Sequence, residues 1–237
     1  MNNHAVYANE ELDGWTGRSG LIDTEAYLIN KYIENKGSLI EAGTGGGRIA
    51  LEVLEEYPNL DIVAFDFVED MIRSAKEKSS AIDFRVSDAS DLSEFEDESF
   101  EFSIYLQQIV SLVPEELISK VLDESYRILK KDGVILFSFL YYEGRKINPI
   151  LSFLTNTFRT LRNEKRREQT LPWLKLAGKF NFNLFRKRQA TTYWFKKKEI
   201  IELLQKNGFK ILEVASAKEI QERTSGSEGM LYVVCKK

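Results

Sequence analysis

The sequence predicts an α/β fold: a doubly wound, mostly parallel seven-stranded sheet with helices on both faces. Three observations support this prediction. Short apolar runs alternate with amphipathic stretches along most of the 237 residues, as in a parallel sheet covered by helices. A glycine-rich loop directly follows the first apolar run. An acid ends the second run, about 20 residues beyond that loop.

The strands are predicted from apolar runs bounded by glycine, proline or charged residues. They are 39–42, 62–66, 82–86, 100–105, 134–139, 209–214 and 229–235. Helices are predicted at 69–78, 114–129 and 196–207, and a further helix ends at Gly37. The alternation is interrupted between the fifth strand and Phe195.

The loop after the first strand carries glycine at alternate positions, Gly43, Gly45 and Gly47, shortly after Glu41. Glycine permits positive φ and lets a ligand approach the backbone closely. A helix that begins near Gly47 directs unpaired N–H groups at such a ligand. The loop therefore predicts a nucleotide-like cofactor, although glycine-rich turns also end strands for structural reasons alone.

Read from Glu41, the pattern is E-x-G-x-G-x-G, whereas a dinucleotide-binding fold expects G-x-G-x-x-G. It resembles the first motif of the class I S-adenosylmethionine-dependent methyltransferases. The resemblance covers residues 37–142 closely and 195–237 loosely. It implies the Rossmann-like methyltransferase fold, S-adenosyl-L-methionine as cofactor, and a last strand antiparallel to the others.

The resemblance also implies which residues bind the cofactor, on loops after the first three strands. Glu41, Gly43, Gly45 and Gly47 are expected at its methionine end, Asp66 at its ribose and Asp88 at its adenine. Thr44, Phe67 and Ala89 are expected to bind the cofactor as well. A carboxylate at a strand end can accept both ribose hydroxyls. Each acid alone is also typical of a solvated surface residue or a helix cap. A cofactor site is favoured because the sequence matches the family's motifs in the same order and at similar spacing.

No catalytic residue and no metal site are predicted. An in-line methyl transfer from a sulfonium can proceed through alignment alone. His4 is the only histidine, and Val110 and Ser111 occupy the positions of a histidine pair found in many small-molecule relatives. The Asn/Asp-Pro-Pro-aromatic segment of enzymes that methylate base or glutamine nitrogens is also absent.

Candidate acceptor-binding residues follow the fourth and fifth strands. They are Gln107, Gln108, Tyr141, Tyr142 and Glu143. The two amides can hydrogen-bond a polar acceptor, and they fit the start of a helix equally well.

The chain is predicted to form a single methyltransferase domain over 1–237. Its parts are an N-terminal arm and first helix at 1–36, the cofactor-binding core at 37–142, an insertion at 143–194, and the final helix and strands at 195–237. The insertion leaves the sheet where open α/β folds bind ligands. We therefore expect it to form a mainly helical, basic and aromatic lid.

Charge is distributed unevenly along the chain. Residues 145–198 contain 15 Lys and Arg but only two acids, a net charge of +13, so the remainder carries −17 in a total of −4. Four interpretations stay open for the basic segment: solvated helical faces, attraction of a phosphorylated or carboxylated substrate, peripheral membrane contact and, less favoured, nucleic acid.

Cys235 lies in the last apolar run and is the only cysteine, which excludes an intramolecular disulfide and fits a reducing compartment. The N-terminus lacks the pattern of a signal peptide, and no apolar run reaches transmembrane length. These features predict a cytoplasmic, soluble protein.

The sequence thus predicts a methyltransferase that uses S-adenosyl-L-methionine to methylate oxygen or nitrogen on a small or glycan-type, anionic acceptor. Among enzymes, the alternative is an RNA methyltransferase. Outside enzymes, the alternative is a non-catalytic sensor or scaffold that binds S-adenosylmethionine.

Overall fold

The computed structural model describes residues 19–145, 149–161, 168–170, 175–176, 179–180, 192–221 and 229–237. The expectations for the N-terminal arm up to residue 18, including His4, lie outside these residues. Those for much of the insertion lie outside them too.

The strands are β1 Gly37–Ala42, β2 Leu60–Asp66, β3 Asp83–Val86, β4 Phe100–Tyr105, β5 Leu129–Leu140, β6 Lys175–Leu176, β7 Lys179–Phe180, β8 Lys210–Ser216 and β9 Met230–Lys236. The α-helices are α1 Asp23–Tyr32, α2 Arg48–Glu56, α3 Glu69–Lys78, α4 Ile109–Leu112, α5 Ile118–Ile128, α6 Pro149–Leu161, α7 Lys197–Lys206 and α8 Ala217–Gln221. Short 3-10 turns occupy Glu115–Leu117 and Glu168–Thr170.

Seven strands form one sheet in the order β3-β2-β1-β4-β5-β9-β8. Strands β1 to β5 pair in parallel, while β9 runs antiparallel to both neighbours, β5 and β8. The prediction of an antiparallel last strand is therefore confirmed, and the sheet is mixed. Two short strands, β6 and β7, pair separately within the insertion.

Helices cover both faces of the sheet. Because both sides of the strands are therefore buried, the strands appear in the sequence as continuous apolar runs. Leu39 packs in one buried cluster with residues of α1, α2 and α3. The next residue, Ile40, packs in the opposite cluster with residues of α5 and α7. Cys235 is fully buried in β9, as expected.

Strand β5 begins earlier than the sequence predicts. Phe100 pairs with Leu129, and after a register shift Phe102 pairs with Val134. Asp132 lies within this irregular stretch at φ 67°, and its N–H donates to the Lys237 carbonyl at 3.3 Å. The charged residues before Val134 thus join the strand, because Leu129 pairs with β4 and the Asp132 N–H and the Gly133 carbonyl bond to Lys237.

The functional region is set by the edge at which the parallel strands end. The order of strands reverses between β1 and β4, and such a switch point leaves a crevice beyond the carboxyl ends of the strands. The loops after β1, β2, β3 and β4 all begin at this edge.

The described part of the insertion contains helix α6 and the short β6–β7 pair. The Arg159 guanidinium donates to the Thr170 carbonyl at 2.8 Å, and the Trp194 N–H donates to the Gln169 carbonyl at 2.7 Å. Trp194 is fully buried, so these contacts attach α6 to the body of the protein. Closure over the site stays a prediction. Among the described helices, none has both the length and the apolar character that a membrane span requires.

Candidate functional site

A cavity of about 240 Å³ lies at the carboxyl edge of the sheet, beside the strand-order reversal. Its wall includes nine residues that the sequence singled out: Glu41, Gly43, Thr44, Gly45, Asp66, Phe67, Asp88, Ala89 and Gln107. They come from the ends of β1 and β2 and from the loops after β1, β2, β3 and β4. The structure therefore brings together residues up to 66 positions apart in the chain.

The glycine loop adopts backbone conformations that other residues rarely adopt. Gly43 has φ 66°, and a Cβ at this position would lie 2.1 Å from Cδ1 of Ile109. Gly47 is not among the residues that line the cavity; it is the N-cap of α2, at φ 85°. Glycine at 43 thus lets the segment after β4 approach the loop, and glycine at 47 turns the chain into the helix.

Glu41 is buried behind the loop, with a relative exposure of 2%. Its Oε2 accepts from the Thr44 hydroxyl at 2.6 Å and from the Ala50 N–H at 3.0 Å. Burial raises the pKa of Glu41 to about 7, against the opposing effects of the Thr44 hydroxyl and the Arg48 charge. The carboxyl group thus links the glycine loop to α2 by hydrogen bonds, and it changes its protonation state near neutral pH.

Asp66 ends β2 and is buried at the cavity wall, with a relative exposure of 7%. Its Oδ2 accepts from the Gly45 N–H at 3.0 Å, and its Oδ1 accepts from the Val68 N–H at 2.9 Å. The two amides fix the carboxylate between the glycine loop and the start of α3. A carboxylate offers about four acceptor positions, so these two bonds do not by themselves exhaust it.

Asp88 lies on the exposed rim of the cavity. Its Oδ1 accepts from the Ser90 N–H at 2.8 Å, and its carbonyl accepts from the Asp91 N–H at 2.8 Å. These bonds hold the loop after β3 as a tight turn. Ala89 is buried within that turn and contributes to the same wall.

A buried polar cluster that the sequence did not predict lies at the cavity wall. Glu25, 1% exposed, accepts two hydrogen bonds from the Arg48 guanidinium, at 2.7 and 2.8 Å. It also accepts from the Gln107 amide. Arg48 and Gln107 line the cavity, so this cluster ties helix α1 to both sides of the site. No local sequence pattern reveals it, because the partners are 23 and 82 positions apart.

Gln107 and Gln108 both have positive φ, 66° and 62°. Left-handed backbone costs a non-glycine residue roughly 1–2 kcal/mol, and such strain persists only where the surroundings enforce it. The Gln108 N–H donates to the Ser138 hydroxyl at 2.9 Å. The strained pair therefore directs the chain after β4 along the cavity, with Gln107 on its wall.

Tyr141, Tyr142 and Glu143 are not among the residues that line the cavity. The Tyr142 N–H donates to the Phe195 carbonyl at 2.9 Å, and Glu143 is an exposed acceptor for the Lys197 N–H at 3.3 Å. The structure thus places these three residues in the junction between β5 and helix α7. Their role in binding an acceptor stays a prediction.

The remaining wall is largely apolar, and the sequence did not identify it. Its principal members are Met71, Ile109, Leu112, Val113, Pro114 and Leu117. Most of them belong to the segment between β4 and α5, where the sequence has no helical or strand periodicity that would indicate which side chains face the cavity. The cavity thus combines a polar loop side with an apolar side, as small-molecule sites commonly do.

Comparisons with known proteins agree with this arrangement. A family model described as a methyltransferase domain matches residues 39–133. Carboxy-S-adenosyl-L-methionine synthase of Nautilia profundicola is 27% identical over 195 residues, which span 79% of this chain and 75% of that protein.

Solved structures share the fold. A protein of Methanosarcina mazei described as a SAM-dependent methyltransferase has a TM-score of 0.65 at 19% identity, over 89% of this chain and 96% of its own. The 1,6-didemethyltoxoflavin-N1-methyltransferase of Burkholderia thailandensis was solved with 1,6-didemethyltoxoflavin and S-adenosylhomocysteine. It has a TM-score of 0.64 at 15% identity, over 99% of this chain and 85% of its own.

Proposed function

We propose that this S-adenosylmethionine-dependent methyltransferase, whose residues 39–133 match the methyltransferase-domain model, uses S-adenosyl-L-methionine to methylate a small, anionic acceptor. The observation that carries the proposal is the cavity, because its wall gathers the glycine loop, Asp66 and Asp88 at one strand-order reversal.

The residues on the wall fit the cofactor that the family uses. Asp66 would accept hydrogen bonds from the ribose hydroxyls, and Asp88 would accept from the adenine amino group. The missing side chains at Gly43 and Gly45 leave the backbone accessible for the methionine end. When bound, S-adenosyl-L-methionine supplies a methyl group on a positively charged sulfur that leaves as a neutral thioether.

The contribution of the protein is to align the acceptor and to exclude water. The apolar side, with Ile109 and Leu112, limits the access of water to the site. The amide of Gln107 is oriented by its bond to Glu25 and would present its oxygen toward a donor group. Holding reactants in attack geometry can supply about 7–11 kcal/mol of a barrier. An ionised oxygen, or a neutral amine that releases its proton to water after the transfer, therefore needs no protein base.

The anionic character of the acceptor is proposed from the charge of the insertion. Residues 145–198 carry +13 in a protein of net charge −4. This segment follows β5, at the edge where the cavity opens, and basic groups near a cleft raise the local concentration of anions. Small metabolites and glycan-type acids both meet this description.

A second candidate function is chemical modification of S-adenosyl-L-methionine itself. The observation that favours it is the 27% identity with a carboxy-S-adenosyl-L-methionine synthase. In that case the sulfonium methyl group would lose a proton and form a carbon–carbon bond to carbon dioxide, supplied by a carboxylic acid co-substrate that decarboxylates. The cofactor would then leave the cavity carrying a new carboxyl group, and no S-adenosylhomocysteine would accumulate.

One labelling experiment distinguishes the two functions. The purified protein is incubated with S-adenosyl-L-methionine carrying a ¹³C methyl group and a metabolite extract, and the products are separated by anion exchange and identified by mass spectrometry. We expect S-adenosylhomocysteine together with a labelled, anion-exchange-retained metabolite. A label found only in unretained products would contradict the anionic acceptor, and a carboxylated S-adenosylmethionine would establish the second candidate.

A further inference from the structure

Helix α6 exposes large apolar side chains along one side. Phe153 is 71% exposed and Leu161 is 78% exposed, while Leu154 remains 41% exposed. Ile150 and Phe158 are also exposed, so the pattern recurs at intervals of three and four residues. Such an apolar stripe on a protein surface marks an interaction site.

The opposite side of the same helix is polar and buried. Thr155 is fully buried, and its hydroxyl has no hydrogen-bond partner among the described residues, nor do Ser152 Oγ and Asn156 Oδ1. A helix that faces water normally shows the reverse arrangement. Burying a hydroxyl without a partner is unfavourable, so α6 is oriented as if its outer side faced an apolar medium.

The charges around α6 indicate which medium this is. Residues 149–161 contain no acid, and 162–167 contribute Arg162, Lys165, Arg166 and Arg167 against a single Glu164. Apolar side chains together with Lys and Arg are typical of helices that lie in the interface of an anionic bilayer. The −17 carried by the rest of the chain is repelled by the same bilayer, which favours approach through the insertion.

A second copy of the chain fits this surface less well. In a symmetric contact the same surface meets itself, which would bring two segments of +13 together. An anionic lipid surface would bury the apolar side chains of α6 and also attract the basic charge of the insertion.

We propose that α6 docks the protein peripherally on an anionic membrane through Phe153, Leu154 and Leu161. The attachment of Arg159 to Thr170 and of Gln169 to Trp194 connects the helix to the body of the protein. Because the insertion leaves the sheet at the carboxyl end of β5, docking holds the edge that bears the cavity beside the bilayer.

Vesicle co-sedimentation tests this proposal with the full chain. We expect the protein to sediment with vesicles made of equal parts phosphatidylglycerol and phosphatidylcholine, and to bind pure phosphatidylcholine vesicles about tenfold less well. Phe153→Asp should lower the partition coefficient on the anionic vesicles by about tenfold or more, because it replaces an inserting aromatic ring by a charge.

The matched control is Leu212→Asp, which adds the same charge at a residue 41% exposed on edge strand β8. It should bind vesicles like the unaltered protein, and both variants should keep the same melting temperature. Equal loss in the two variants, or no sedimentation of the unaltered protein, would overturn the proposal. So would a dimer in light scattering that Phe153→Asp dissociates without any lipid binding.

Discussion

At Gly43 a single added carbon would overlap a neighbouring side chain. Gly43→Ala places a Cβ 2.1 Å from Ile109 Cδ1 at φ 66°, whereas Gly20→Ala meets nothing within 4 Å at a similar φ of 77°. Both variants carry the backbone cost of positive φ, but overpacking adds about 1–3 kcal/mol at 43 alone. Urea unfolding should therefore show Gly43→Ala to be the less stable variant, and equal stability would refute the close approach.

Asp66 holds the loop and faces the cavity, so its replacement should reduce cofactor binding. Asp66→Ala removes the acceptor for the N–H groups of Gly45 and Val68 and for the proposed ribose hydroxyls. We expect calorimetric affinity for S-adenosylhomocysteine to fall by about 1–3 kcal/mol. Asp61→Ala, at an exposed position on the same strand, is the control and should bind normally. Unchanged affinity in Asp66→Ala would rule out the ribose assignment.

Glu41 makes stability depend on pH. Burial raises its pKa from 4.5 to about 7, so between these values the native state retains a proton that the unfolded state has lost. Stability therefore falls as the pH rises through this interval, by an amount of order 3 kcal/mol. Glu41→Gln keeps the carbonyl acceptor for Thr44 and Ala50 without titrating.

Urea unfolding between pH 5 and pH 8 measures this effect as the difference between the two proteins. Glu41→Gln should gain stability relative to the unaltered protein as the pH rises. Parallel curves would mean that Glu41 titrates as an ordinary carboxyl group.

At the scale of elements, the contact between α1 and α2 contains a buried ion pair in addition to apolar packing. The Arg48 and Glu25 side chains are 10% and 1% exposed, and removing one partner of such a pair costs about 3–5 kcal/mol because the other charge stays buried. Arg48→Met should therefore be strongly destabilised in thermal unfolding. The further change Glu25→Gln should restore part of that loss.

The exposed pair Arg73–Asp70, with side chains 65% and 48% exposed, provides the matched comparison. Arg73→Met should change stability by less than about 1 kcal/mol, because surface pairs contribute little. If Arg48→Met were equally mild, the pair could not be what holds α1 against the loop.

The elements that the sequence predicted well are those whose environment is uniform. Helix α3 and strand β4 match their predicted bounds, Glu69–Lys78 and Phe100–Tyr105, because one is amphipathic and the other is buried on both sides. Helix α4, Ile109–Leu112, follows its N-cap Gln108, which agrees with the alternative that the two glutamines start a helix, but its bounds were not predicted, since four residues carry no period. The extra length of β5 was not predicted either, because it depends on the pairing of Leu129 with Phe100 of β4, across a register shift that no local pattern reveals.

At the scale of the molecule, the candidate site was predictable where a functional residue lies at the carboxyl end of a strand or in the loop that follows it. The glycine loop, Asp66 and Asp88 each follow a strand, and parallel strands end at one edge. The cluster of Glu25, Arg48 and Gln107 was not predictable, because it joins three elements through side chains alone. Tertiary contacts of this kind depend on rotamers and helix placement, which local patterns do not encode.

The charge of the whole molecule leads to a prediction about the acceptor. An RNA acceptor with 6–10 phosphate contacts would lose about 10³–10⁵ in affinity between roughly 50 and 200 mM salt. For a small acceptor with one or two charges, salt weakens only the electrostatic attraction to the protein, with a screening length of about 8–10 Å. For the metabolite found by labelling, we expect kcat/KM to fall less than about threefold over that range. The assay is run without vesicles, and a steep logarithmic slope would instead indicate that the basic insertion binds a polyanion.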